Sequence, residues 1–170
     1  LVLSACRGEV VDAGRLEPVV SKMIDSVDRN PSALLPLVRQ KQTDTYAIEH
    51  AVASTSLVIA LAGRQGVRPS EVENIALGNL VKDIGQASLD ARLIAKPGSL
   101  SQSERNRVHN HVEEGLAILH STSRLSDLST AVVLEHHERF DGLGYPYKTA
   151  GESISIAGRM AAIADTYDAM

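Results

Sequence analysis

The sequence predicts an all-α domain. Three observations carry that expectation. Apolar residues recur at helical spacing through most of the chain, Ser-x-x-Glu helix-start signals occur twice, and Ala, Leu, Val and Ile are plentiful beside no Trp and one Phe. No segment sustains the alternation of a strand. At 170 residues there is enough chain for one sizeable core. About six or seven helices are expected, packed around a central cluster of histidines and aspartates.

Along the chain, Leu16, Val19, Val20, Met23, Ile24 and Val27 fall on one helix face, and Asn30-Pro31 breaks that run. A short apolar run follows from Ser32 to Arg39. Residues 44–63 read as a long helix ending at Gly63 or Gly66, with His50 near its start among small and aliphatic residues. By itself His50 fits either a hydrogen-bonded core histidine or a ligand. Ser70-Glu71-Val72-Glu73, after Pro69, reads as a capping box opening a helix with Ile75, Ala76, Leu80, Val81 and Ile84 inward.

Residues 87–100, with Lys96-Pro97-Gly98, read as an irregular connection. Ser101-Gln102-Ser103-Glu104 is the second capping box, and the helix it opens is expected to carry His109, His111 and His120. Residues 127–137 are expected to form the helix that delivers His136 and His137. A last helix begins near Ile154 and runs to Met170.

Composition excludes several classes. A net charge of −4 gives no bulk basic field for nucleic acid, so a phosphorylated ligand would need local cations or a metal. No apolar run reaches the roughly eighteen residues of a membrane span, and no signal peptide is evident. The single cysteine, Cys6, rules out an internal disulfide framework and fits a reducing compartment, so a cytoplasmic location is expected. The chain starts at Leu1 and stops at Met170 inside an apolar run, which reads as a fragment of a longer protein.

The most chemical stretch is Glu135-His136-His137-Glu138-Arg139-Phe140-Asp141-Gly142-Leu143-Gly144-Tyr145-Pro146. Adjacent histidines and nearby acids are the usual nitrogen and oxygen donors for borderline divalent metals. Gly142 and Gly144 allow backbone dihedrals closed to other residues, and Pro146 fixes the exit. Donors running into a rigid, backbone-exposing loop make a plausible active-site edge.

His136-His137-Glu138 followed three residues later by Asp141-Gly142-Leu143-Gly144-Tyr145-Pro146 resembles the signature of the HD-GYP domains. These are bacterial metal-dependent phosphohydrolases that typically act on c-di-GMP. The resemblance covers residues 43 to 170, leaving 1–42 as an N-terminal helical segment or a link from an upstream module. It implies an HD-type helical bundle truncated at its C-terminus, and metal ligands at His50, Asp83, His111, His136, His137 and Asp165. His111 is matched through Asn110 and Gly115, and Asp165 through Asp165-Thr166-Tyr167-Asp168-Ala169. Asp168 is read as a supporting or capping residue, and His109 and His120 as surface histidines. Tyr46 stands where some members place an extra ligand, which argues against a third metal. The loop residues Arg139, Asp141, Gly142, Gly144, Tyr145 and Pro146 are assigned to substrate, or to contacts with GGDEF domains that the family's Gly-Tyr-Pro loop has been linked to.

The chain departs from the family pattern His-Asp-x-Gly-Lys at two positions: Lys82 replaces the histidine and Gln86 the lysine, while Asp83 remains. The resemblance implies one metal site from His50, the missing histidine, Asp83 and Asp165, and another from Asp83, His111, His136 and His137. The second set is complete. The first has a lysine where an imidazole should donate a lone pair, and lysine binds metal only after losing a proton held with a pKa of about 10.4. The Lys82 ammonium is therefore expected to occupy or crowd the first position, held by Asp83 and Asp165. Glutamine at 86 donates a hydrogen bond without charge, and losing such a contact costs about two to three orders of magnitude in rate. Arg139 and Arg159 are further candidates to reach a phosphate. The donor set suits iron or manganese, with zinc also open. Two functions follow: a phosphodiesterase opening c-di-GMP to the linear dinucleotide, or a degenerate domain acting as a sensor or interaction module.

Overall fold

The computed structural model describes residues 12–31, 46–94, 96–121 and 125–170. Among them the chain is helical and contains no strand. The apolar run at Ser32–Arg39 and Cys6 lie outside the described residues.

The expected amphipathic segment near the N-terminus forms α1, Glu17–Arg29, entered through Pro18 and closed at Asn30. Its face of Val20, Met23 and Val27 enters the main core against α2 and α3. Helix α2, Tyr46–Arg64, ends with Gly66 at φ 70°, a left-handed conformation that suits glycine. Helix α3, Pro69–Val81, starts two residues earlier than its Ser70-Glu71-Val72-Glu73 pattern implies. Pro69 is itself helical, and the reciprocal acid is Glu71, whose carboxylate accepts from the Arg68 backbone N–H at 3.3 Å. A proline at the first helical position costs nothing there, because its missing N–H would have had no partner.

Helices α2 and α3 are held in register by a buried polar link. The Asn79 side-chain amide donates to Ser54 Oγ and Thr55 Oγ1, each at 3.1 Å. Those partners lie one turn from His50 on α2, and Asn79 lies one turn from Lys82, so the link fixes the relative height of two site residues. After α3 the Lys82-Asp83 turn leads into a 3-10 segment, Ile84–Ser88. A short helix, α4 (Ala91–Ile94), lies where the sequence suggests an irregular connection.

The second capping box forms as expected: Ser101 Oγ accepts from the Glu104 N–H, and Glu104 accepts from the Ser101 N–H at 2.8 Å. The helix that it opens is not continuous. It divides at Asn110 into α5, Gln102–His109, and α6, His111–His120. The break is local, since Asn110 keeps helical dihedrals and backbone bonds continue on both sides of it. Helix α7 runs Asp127–Glu135, capped by Ser126, so His136 caps it and His137 follows the end rather than riding on it. After a 3-10 turn at Gly151–Ser153, α8 spans Ile156–Ala169 with Ser155 as its cap.

Helices α3, α7, α2 and α8 pack mutually through small and branched side chains, with Ile75, Val132, Ala157 and Ala161 fully buried. Each fully buried branched side chain contributes about 1.5–3 kcal/mol. A second cluster of Val81, Ile84, Leu119 and Val133 closes the other side. The site lies where helix ends and turns meet, with Asp83, His111 and His136 each at an element's end.

Candidate metal centre and cleft

Gly85 brings the first two site elements together. It packs against α6 so closely that a Cβ there would overlap the His111 carbonyl oxygen and stand 2.5 Å from the Gly115 backbone nitrogen. Only glycine permits this approach, and it places Asp83 beside His111. Helix α7 then delivers His136 to the same point.

His111 Nδ1 lies 2.6 Å from the Val108 carbonyl oxygen, and His136 Nδ1 lies 2.8 Å from the Val133 carbonyl oxygen. A carbonyl only accepts, so both Nδ1 atoms carry the proton and both Nε2 atoms present lone pairs. Those two Nε2 atoms face each other at 3.5 Å, with Asp83 Oδ1 3.5 Å from one and 3.8 Å from the other. Two inward lone pairs and a carboxylate with no hydrogen between them repel unless a cation intervenes. Together with His137 they form a group, all donor atoms within 4.8 Å of one another, that fits a divalent ion.

Burial dominates at His136 and His137. It pushes His136 below the ordinary range, and with the charge of His136 it takes His137 down to about 2. Both imidazoles are therefore neutral at pH 7, the form that donates to a metal. Burial alone would raise Asp83. The neighbouring Lys82 charge overcomes it, and the carboxyl stays well below its usual value.

A second donor group, His50, Asp83 and Asp165, lies on the other side of Asp83. Its centre is taken by Lys82, which is 1% exposed. Lys82 Nζ donates to Asp83 Oδ2, lies 2.7 Å from Asp165 Oδ1 and 3.2 Å from His50 Nε2. Burial would lower this lysine, but the charges of Asp83 and Asp165 raise it, so the ammonium persists. A divalent ion at the same point would meet a fixed positive charge. The triad does not fit one while Lys82 is there.

The remaining site residues sit around these two groups. Asp168, nearly inaccessible, places Oδ2 2.6 Å from His50 Nδ1 and so orients the ring, whose Nε2 lies 3.0 Å from Asp165. The Asp165 hydrogen bond raises His50 against burial and Lys82. Gln86 Nε2 donates to Asp83 Oδ1 at 2.8 Å. It therefore faces the carboxylate that the two donor groups share. Arg139 is exposed and turned to Asp141, with Nε 3.0 Å from Oδ1. Arg159 is half-buried, and its Nε has no hydrogen-bond partner among the described residues.

The Gly-Tyr-Pro loop covers the histidine cluster. Gly142 has φ 74°, and the Tyr145-Pro146 peptide is cis. Gly144 lies against the backbone of the preceding turn, where a Cβ would stand 2.6 Å from both Glu138 Cα and the His137 carbonyl oxygen. The Tyr145 N–H donates to that same carbonyl at 3.2 Å, and Glu138 folds inward to accept from the Tyr147 N–H at 2.7 Å. Tyr145 stacks on His137 with centroids 4.6 Å apart and, on its other face, on His109 at 3.7 Å and 5°. His109, expected at the surface, is thus the outer ring of a three-ring stack. Sequence spacing misses it because the stacking partner arrives from a loop that lies far along the chain.

An open cleft of about 1020 Å³ runs over this floor, lined by His136, His137, Tyr145 and Asp165 and walled by Arg105, His109 and Tyr167. It is large enough for a ligand of several hundred daltons.

Histidine and aspartate donors gathered at helix ends under a rigid loop, in an all-helical frame, define a metal-centre domain. The chain belongs to the HD domain family, a metal-dependent family whose model matches residues 21–170. It is 39% identical over 163 residues to the cyclic di-GMP phosphodiesterase PA4108 of Pseudomonas aeruginosa, covering 96% of this chain and 39% of that protein. It is 37% identical to the 3'3'-cGAMP-specific phosphodiesterase 2 of Vibrio cholerae, covering 65% of this chain and 21% of that one. With the response regulator RpfG, a cyclic di-GMP phosphodiesterase of Xanthomonas campestris, identity is 29%, covering 85% of this chain and 42% of that one. The chain thus spans less than half the length of these relatives. In fold it matches Bd1817, an HDG"Y"P protein from Bdellovibrio bacteriovorus, with TM-score 0.78 and 21% identity over 92% of this chain and 51% of that one. The HD-GYP resemblance read from the residues is borne out by these relatives. No helix among the described residues is long and apolar enough to cross a membrane.

Proposed function

We propose that this domain is a metal-dependent phosphodiesterase that opens a cyclic dinucleotide of the c-di-GMP class. The observation that carries the reading is the convergence of the His111 and His136 lone pairs with the Asp83 carboxylate, next to a large cleft that His136 and His137 line. Asp83, His111, His136 and His137 would hold the ion, and their mixed nitrogen and oxygen chemistry suits iron or manganese. Such an ion supplies a Lewis acid for phosphate and lowers the pKa of water to near neutrality.

The chain's own residues then divide the remaining work. Val108 and Val133 fix the histidine tautomers through their carbonyls. Burial raises the Tyr145 phenol, which stays protonated and offers a hydrogen-bond donor beside the cluster. Gln86 holds Asp83 through Oδ1, orienting that carboxylate between the two donor groups. Arg105 and Arg139 line the cleft and supply positive charge toward a diester ligand.

A second reading is a module that binds the dinucleotide without cleaving it. Lys82 favours it, because one of two donor groups has no room for a Lewis acid. Exposed Phe140 and Leu143 on the loop suit contact with a GGDEF partner. Either reading implies a cytoplasmic site of action, in keeping with the single cysteine. The two separate by incubating the anaerobically metallated protein with c-di-GMP and following the linear product by chromatography. The hydrolase reading expects product from the natural chain and none from His136→Ala. Tight binding without product supports the module.

A further inference from the structure

The Lys82 ammonium has a consequence for assembly as well as for metal content. We infer that it is a permanent, protein-supplied substitute for a metal ion at the His50, Asp83 and Asp165 group, tying α2, the Lys82-Asp83 turn and α8 together whether or not metal is present. This inference shares with the proposed function only the ion at the other donor group.

Three features of Lys82 point to this role. Its side chain is 1% exposed, which is rare for lysine and requires paired charge nearby. Its Nζ contacts one donor from each of three separate elements: His50 on α2, Asp83 after α3, and Asp165 on α8. These are the same three donors that could together hold an ion, so the ammonium sits where the ligands converge. Two carboxylates this close repel when no cation lies between them. One positive charge of ammonium balances them less fully than a divalent ion, and Asp168 adds a further carboxylate behind His50. The neighbouring group of Asp83, His111, His136 and His137 has no lysine inside it and stays available to metal.

Two properties follow that a two-metal site would not show. The protein takes up a single divalent ion per chain. Removing that ion leaves the closure between α2 and α8 intact, because its cation is covalently part of the chain. In Lys82→His or Lys82→Ala the three donors are freed of the ammonium, so a second ion enters and the thermal midpoint becomes more sensitive to chelator.

The test is metal analysis and thermal unfolding of the natural protein, Lys82→His and Lys82→Ala after loading with Mn²⁺ and after chelation. One ion in the natural chain and two in either folded variant, with a larger chelator-induced midpoint loss in that variant, is the expected result. Two ions in the natural chain, or one ion in both variants when circular dichroism shows them folded, overturns the inference. Should neither variant fold, Mn²⁺ titration of the natural chain decides: one saturable site upholds the inference and a second overturns it. None of these readings depends on turnover, so an inactive protein that holds one ion defeats the proposed function and leaves this inference standing.

Discussion

Lys82 Nζ lies 2.7 Å from Asp165 Oδ1, joining residues 83 positions apart in the chain. The pair is buried on the lysine side, so it cannot be treated as a surface ion pair worth a few tenths of a kcal/mol. Removing one partner of such a pair strands the other charge, which costs about 3–5 kcal/mol. Lys82→Met, close in shape but uncharged, is expected to lose about that much stability in urea unfolding of the metal-free protein. A loss below about 1 kcal/mol would mean that water reaches the pair and screens it.

The metal-free protein should lose stability as pH falls below neutral. His137 has a folded value of about 2 against an ordinary 6.5, and His136 is lowered too. Below pH 6.5 the unfolded chain takes up protons that the folded histidines refuse, so their contribution shrinks as pH drops. His50 acts in the opposite sense: its value is raised, so its contribution is full below 6.5 and fades as pH rises through the folded value. Asp83 and Asp165 are depressed, so they stabilise above about 3.8 and their share is lost below it. Urea midpoints measured from pH 8 to 4 should therefore decline, and His137→Gln should flatten the decline just below 6.5.

How much of this was legible in the sequence depends on the range of the interactions. Helices α1, α2 and α5 could be read from spacing and caps, because those signals are local. The Asn110 break was not legible, since its neighbours on both sides are helical in pattern. The donor identities His50, Asp83, His111, His136, His137 and Asp165 came from resemblance, and the structure brings all six together in two groups sharing Asp83. The tautomer-setting carbonyls of Val108 and Val133 leave no sequence signature, because any residue supplies a carbonyl. The His109 stack was invisible for the same reason that most tertiary contacts are: the pattern of α5 says which face His109 is on and nothing about Tyr145.

Two glycines set the site's geometry by close approach. Gly85→Ala would drive a methyl into the His111 carbonyl, and Gly144→Ala would press on the Glu138 backbone. Each should cost about 1–3 kcal/mol through overpacking. Gly85→Ala should also weaken metal binding, because any relief moves His111 away from Asp83. Gly63→Ala, inside α2 with open space around the new methyl, serves as the control and should add up to about 1 kcal/mol of stability. Thermal midpoints and Mn²⁺ affinity of the three variants check this.

His136→Ala should abolish measurable metal uptake. The loss should exceed the roughly 10–100-fold that removal of a mere supporting partner costs a metal site. Asp168→Ala acts only by leaving the His50 ring without its orienting carboxylate. It should spare the ion held by Asp83, His111, His136 and His137, because His50 does not belong to that donor group. Calorimetric Mn²⁺ titration of the two variants beside the natural chain separates these roles.

In the proposed reaction one ion, at Asp83, His111, His136 and His137, suffices for cleavage of a cyclic dinucleotide. The most direct measurement adds Mn²⁺ stepwise to the chelated protein while counting bound metal and following c-di-GMP cleavage. Cleavage should rise with the first equivalent and level off there. Cleavage that appears only with a second bound equivalent, or that never appears at saturation, would contradict it.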